Sequence, residues 1–272
     1  MGRHDLSIYR LLFGHRRMIQ DLLREIVGEP WVERIDFDSG EKLGASFASN
    51  KHEHHESDVL WKFRRQDGGE LVYVYLLLAF QSRPDPSIAV RLMGYESLFY
   101  QSLLASHPAA EWRKLPPVIP VLLYRGREPW NVATDLGSLI GDLDPSVEIY
   151  RPQLRYRLVD AAAYPLEKLI ALNNPVAELF LIERSRDWEE ARARLPRLRQ
   201  NIPADEASLR RTFAAWLQRV ILPRFGLSPE EFSATLTLEE LEERVRTADT
   251  ERLLDWGERV LTAQSLQDVF RD

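Results

Sequence analysis

The feature that most limits what this chain can become is an unbroken run of ten apolar and aromatic residues, Leu71 to Phe80. Ten residues are too few to cross a bilayer as a helix, which takes about 20. A run of this length, carrying Val72, Tyr73, Val74 and Tyr75, predicts a strand covered on both faces and therefore central in a sheet. Its neighbour is equally legible. Val59 to Arg65 alternates, with Val59, Trp61 and Phe63 facing one way and Leu60, Lys62 and Arg64 the other, the pattern of a half-buried strand. Between the two lies Gln66-Asp67-Gly68-Gly69, and Asp-Gly is a strong hairpin signal. Arg83-Pro84-Asp85-Pro86 then breaks the chain. A helix is predicted from Pro86 or Ser87 to Leu104, and Pro116-Pro117 introduces a second buried strand, Val118 to Tyr124. A helix between two buried strands is a βαβ unit, so those strands are expected to be parallel.

The remainder is organised around this centre. Apolar spacing from Asp5 to Val27 predicts two short helices around Gly14-His15, stopped by Gly28-Glu29-Pro30. Weaker strand signals lie at Trp31 to Phe37 and Leu154 to Val159. Beyond Pro165 the pattern is helical, with Pro175, Pro196, Pro203 and Pro223 as boundaries or kinks. The expected organisation is an α/β core over residues 1–160 and a helical C-terminal region over 161–272. The absence of cysteine excludes disulfides, thiolate catalysis and zinc–cysteine sites. Met1-Gly2-Arg3-His4-Asp5 lacks the apolar segment of a secretory signal, and no apolar run approaches a membrane span. A cytoplasmic, membrane-free protein is the expectation. A net charge of −6 does not advertise a nucleic-acid partner, but the charge is segregated. Residues 184–224 carry ten arginines against five acids, and residues 225–272 carry five against twelve. Two solvated helical faces of opposite sign account for this as readily as a binding surface does.

The chemistry-bearing positions gather at one end of the hairpin. Asp58 opens the first strand. Ala79 and Gln81, two apart at the end of the second, share a face. Folding the hairpin about Gly68-Gly69 brings Asp58 to that end. Phosphodiester hydrolysis uses a cation held by carboxylates that polarises phosphate and activates water. Mg²⁺ suits such a site because it needs few protein ligands and keeps several waters. Asp58 also suits a plain strand end, and Gln81-Ser82 a terminus satisfied by backbone groups. Lys51-His52-Glu53-His54-His55-Glu56 has ligand residue types but no fixed ligand spacing. Asp21 and Glu25 are candidates for an extra acid, although solvation explains them better. Trp112, Trp130, Trp188 and Trp216 read as core or interface residues before base-stacking ones.

The ordered set is more specific than its parts. It runs from Asp5 through Ser57-Asp58 and Leu76-Leu77-Leu78-Ala79-Phe80-Gln81-Ser82 to Arg91-Leu92-Met93-Gly94-Tyr95. Leu115-Pro116-Pro117-Val118 and Tyr124-x-Gly126-x-x-x-Trp130 follow. This order resembles the recombination-promoting nuclease and transposase-like family of the PD-(D/E)XK nuclease superfamily, over about residues 4–135. The resemblance implies a restriction-endonuclease-like mixed sheet flanked by helices and a metal-dependent DNA endonuclease using Mg²⁺, or Mn²⁺ in its place. It implies Asp58 and the Phe80 carbonyl as metal ligands, a catalytic carboxylate at position 79, and Gln81 in place of the superfamily lysine. Ser82, Arg83 and Arg91 are then candidates for DNA contact, and a homodimer is the expected assembly for cutting both strands. Ala79 departs from the pattern, because a methyl group cannot hold Mg²⁺. Natural loss of activity and an engineered Glu→Ala change both fit. The chain is expected to be catalytically impaired; the alternative is a non-catalytic DNA-binding or protein-interaction protein that kept the nuclease fold.

Overall fold

The computed structural model describes residues 3–43, 59–67, 71–79, 83–106, 114–126, 128–142 and 144–228. Helices α1 (Arg3–Leu12) and α2 (Arg16–Asp21) flank Gly14-His15 as the periodicity predicts, and a π-type turn follows at Leu22–Val27. Gly28 closes that turn at φ 58°, a left-handed conformation that glycine adopts without a Cβ penalty. Five strands follow, with one helix among them: β1 (Ile35–Leu43), β2 (Val59–Arg65), β3 (Leu71–Ala79), α3 (Ile88–Ser106), β4 (Val118–Tyr124) and β5 (Arg157–Asp160). They form one sheet in the order β1-β2-β3-β4-β5. The β1–β2 and β2–β3 pairs are antiparallel, whereas β3–β4 and β4–β5 are parallel. The apolar run is the central strand, the hairpin exists, and α3 is the crossover of a parallel βαβ unit. This mixed sheet flanked by helices is a PD-(D/E)XK-type arrangement.

Two strand boundaries differ from the sequence reading. The first strand starts at Ile35, not Trp31, because Val32–Arg34 makes a 3-10 turn closed by the Arg34 N–H donating to the Trp31 carbonyl at 3.1 Å. The last starts at Arg157, not Leu154. The segment before it pairs instead with residues 134–136, through Leu136 N–H to the Leu154 carbonyl (2.9 Å) and Tyr156 N–H to the Thr134 carbonyl (3.1 Å).

Both faces of the sheet are covered, as a central parallel pair requires. On one face Leu60, Tyr73, Tyr75 and Leu122 pack with Ile88, Leu92, Phe99 and Leu103 of α3. On the other, α1 packs on β3 and α2 on β1, and the Trp61 indole N–H donates to the Phe13 carbonyl at 2.9 Å. Helices α4 (Leu166–Ala171), α5 (Pro175–Arg184), α6 (Trp188–Arg192), α7 (Leu195–Asn201) and α8 (Ala207–Trp216) follow β5. Of these, α5 contacts α2, and α8 contacts α1. The chain divides into two compact units, Met1–Trp216 and Leu217–Asp272. In the second, Leu217–Ile221 is a π-type turn followed by the short helix α9 (Leu222–Arg224). No described helix is long and apolar enough to cross a membrane.

Helix α5 is buried along most of its length, and its side chains include one misfit. Glu178 is 1% exposed, and its Oε2 has no hydrogen-bond partner. Burial raises its carboxyl pKa, against the attraction of Arg194 and Arg197. A raised folded-state pKa means stability is fully present below the ordinary glutamate range and is lost as pH climbs through the folded value. Glu178→Gln should therefore remove a decline in stability that begins above about pH 4.5 in the parent. The variant should gain about 1–3 kcal/mol at neutral pH, the cost of an unsatisfied buried group. Melting curves from pH 4 to 8 that run parallel for the two proteins would contradict this.

Candidate functional site

The C-terminal ends of β3 and β4 lie side by side with the start of β2. The antiparallel ladder pairs Val59, the residue after Asp58, with Leu76. The parallel ladder pairs Leu76 with Val121 and continues to Ala79 opposite Tyr124. Position 79 is thus the last residue of the central strand, with its backbone fixed at the sheet end. Asp58, Phe80, Gln81, Ser82 and the 51–56 cluster lie outside the described residues. Among the described residues no three His, Asp or Glu side chains converge to hold a metal. Alanine offers no ligand atom at 79, so the described residues do not furnish a Mg²⁺ cage.

The chain on either side of this end is tied down by two ion pairs of different character. Arg83 Nε donates to Glu128 Oε1 at 2.9 Å, linking the segment after β3 to the one after β4. The Arg83 side chain is 81% exposed, and such surface pairs are worth only about 0–1 kcal/mol. Arg83 can therefore leave Glu128 at little cost. Arg91, on α3, donates to Asp85 Oδ2 at 2.7 Å in a more enclosed setting. Asp85 also accepts from the Ser87 N–H at 2.8 Å and the Ser87 hydroxyl at 2.7 Å. Burial alone would raise the Asp85 carboxyl, but the Ser87 and Arg91 bonds outweigh it and hold it below the usual range. Arg91 thus clamps the 85–87 turn onto the start of α3.

On the β4 side, Tyr124 donates its hydroxyl to the Glu128 carbonyl at 2.8 Å, and its ring meets Trp130 edge-on at 4.8 Å. A Cβ on Gly126 would fall 1.8 Å from the Tyr124 oxygen, so only glycine fits beneath that ring. This accounts for the Tyr124-x-Gly126-x-x-x-Trp130 spacing: it builds the loop at the sheet end.

The next residue starts a buried polar cluster that sequence reasoning missed. Arg125 forms an ion pair with Glu183 of α5, their side chains 10% and 8% exposed. The guanidinium also lies over the Tyr9 ring, 4.1 Å from its centre. Tyr9 donates its hydroxyl to Glu183 and accepts from the Trp216 indole N–H at 3.0 Å. Burial, reinforced by Glu183, pushes the Tyr9 hydroxyl far above the ordinary tyrosine range, so it acts as a neutral donor. The cluster welds α1, α5 and α8 to the residue following the β4 partner of Ala79. Its members are up to 207 positions apart, and no local pattern encodes that.

The remaining candidates are placed more simply. Asp21 is buried and accepts from Arg17 Nε at 2.8 Å; burial raises its carboxyl, opposed by that bond. Glu25 is exposed. Trp216 is fully buried, and Trp130 packs between Tyr124 and Tyr156.

A family model described as "Putative transposase, YhgA-like" matches residues 2–207. Among curated proteins, the chain is 28% identical over 184 residues to Recombination-promoting nuclease RpnD of Escherichia coli O157:H7. It is 28% identical over 123 residues to Recombination-promoting nuclease RpnC of Escherichia coli K12. A longer match, 24% identical over 261 residues, is to that strain's Inactive recombination-promoting nuclease-like protein RpnE. These alignments cover 66%, 45% and 94% of this chain, and 66%, 39% and 83% of the relatives. For the first two relatives the match thus spans less than two thirds of their length. No solved structure matches the chain.

Proposed function

The chain belongs to the YhgA-like transposase family, and on that premise we propose that it is a DNA-binding protein on a metal-dependent endonuclease core, with cleavage impaired by Ala79. The observation that carries this reading is the position of Ala79. It ends the central strand, opposite Tyr124 and three residues past the β2-paired Leu76, where the family resemblance expects a carboxylate. The name of RpnE, an inactive nuclease-like relative aligned over 94% of this chain, supports the idea that such a fold persists without cleavage.

A bound Mg²⁺ or Mn²⁺ would supply a Lewis acid for the phosphate and for water. Asp58 and the Phe80 carbonyl would be its ligands, with Gln81 beside them. This chain's own contribution is binding. Ser82 and the easily released Arg83 would meet phosphate, while Arg91 keeps the adjoining turn in place. A cytoplasmic homodimer is the assembly we propose. Light scattering behind a sizing column should report twice the 31.6 kDa chain mass, and a monomer at working concentration would refute that element.

Binding itself is the direct test. A labelled duplex titrated with the protein in Mg²⁺ should be bound and left intact. Affinity should fall steeply with salt, with a log–log slope of about −3 or steeper, as counterions return to phosphates. Absence of binding at low salt would sink the proposal. Efficient cleavage by this chain would overturn the assignment of Ala79 as impairing.

A further inference from the structure

Nine described arginines are held by a carboxylate. Arg16, Arg17, Arg65, Arg83, Arg91, Arg125, Arg151, Arg157 and Arg186 are each ion-paired. Residues 191–203 stand out by local charge. They hold four arginines and no acid, in a chain whose net charge is −6. Arg197 and Arg199 are exposed and Arg194 half-buried; Arg194 and Arg197 feel the attraction of the buried Glu178, but no described carboxylate lies within ion-pair distance of any of the three. Leu198 and Ile202 bury this segment's apolar side, so its position is fixed while Arg197 and Arg199 stay exposed.

Its place relative to the strand ends is set by α5. Helix α7 packs on α5, and α5 ends beside Glu183, which holds Arg125 one residue past the β4 partner of Ala79. A ten-residue helix is about 15 Å long, and packed helices lie about 8–10 Å apart. The α7 arginines therefore fall within roughly 25 Å of the strand ends, about seven base-pair steps of B-DNA at ~3.4 Å each.

We propose that Arg194, Arg197 and Arg199 form a track for the phosphate backbone of duplex DNA that runs on to the β3 and β4 ends. This rests on the DNA-binding reading above and assigns its surface. Guanidinium groups suit the role because they stay charged and present a donor fork that matches phosphate oxygens. The contacts are to backbone only, so they add affinity without base preference.

The test compares two charge-matched variants of the full chain. One carries Arg194→Gln, Arg197→Gln and Arg199→Gln. The other carries Arg34→Gln, Arg64→Gln and Lys114→Gln, exposed cations near the opposite strand ends. Both are first checked for parent-like circular dichroism. The track variant should bind a random-sequence duplex about tenfold to a hundredfold more weakly, with its salt slope reduced by about 2 to 3, one unit or slightly less per lost phosphate contact. The control variant should lose little and keep the parent slope. Equal losses in both would show only general charge attraction and overturn the track, while leaving DNA binding intact. Should the parent itself fail to bind duplex, both readings fall. Polyglutamate bound as tightly as duplex, and lost in the track variant alone, would make this a dock for acidic peptides and also overturn the proposal. If the track variant loses the parent fold, Arg197→Gln/Arg199→Gln alone decides; both residues are exposed, and an unchanged duplex affinity would reject the track.

Discussion

Ala79→Glu should turn this chain into a Mg²⁺-dependent DNA endonuclease. The backbone at 79 is held by the parallel ladder to Tyr124, so the new side chain starts from a fixed point. The cost of glutamate in place of alanine on a strand is well under about 1 kcal/mol, small beside the stability of a domain this size. The gain lies elsewhere. One carboxylate, the ligand proposed at Asp58, would hold a hard cation weakly, whereas two would fix it and orient the phosphate beside it. Nicking of supercoiled plasmid should rise at least about a hundredfold, equivalent to about 2.7 kcal/mol of barrier. It should vanish with EDTA and vanish again when Asp58→Asn is added. A variant that is folded and binds duplex, yet stays inert with Mg²⁺ and Mn²⁺, would leave the non-catalytic binding protein as the surviving account.

Glu183→Ala should be strongly destabilising. It leaves the Arg125 guanidinium, only 10% exposed, without its counter-charge, and takes the acceptor from the buried Tyr9 hydroxyl. Removing one partner of a buried pair costs about 3–5 kcal/mol, because the remaining charge stays desolvated. At about 2–4 °C per kcal/mol for a protein of this size, the melting temperature should drop by roughly 6–20 °C. Glu183→Gln keeps an oxygen for Tyr9 and should fall between. Adding Arg125→Met to Glu183→Ala should recover part of the loss, since the orphan charge is then gone, and a double-mutant cycle would measure the coupling. A urea-unfolding loss under about 1 kcal/mol for Glu183→Ala would show that the cluster is not what joins these helices to the sheet end.

What could be read from the sequence follows how local its cause is. Leu71–Ala79, Val118–Tyr124 and the helix between them are legible because period and proline breaks act over a few residues. The edge strand is less so. Its outward residues are polar, and the β1–β2 register shifts between Asp36 and Glu41, which blurs the alternation. Leu154 looks like the start of a strand because it is apolar, but its carbonyl is taken by Leu136. At the candidate site, position 79 could be located from the run that contains it. The partners of Arg83 and Arg91 could not, because Glu128 lies 45 positions from Arg83, and Asp85 sits in a proline-flanked turn that reads only as a break. The Tyr9–Glu183–Trp216 contacts lie beyond any window of pattern.

Those contacts also set a timetable for synthesis. The indole that donates to Tyr9 lies 207 positions later in the chain. At about 5–20 residues per second, translation covers that interval in roughly 10–40 s. Throughout it, Ile8, Tyr9 and Leu12, all buried in the finished fold, have no α8 to cover them. Helix α1 therefore lacks its α8 cover until α8 has been made, and during that interval the nascent chain offers a chaperone an apolar face.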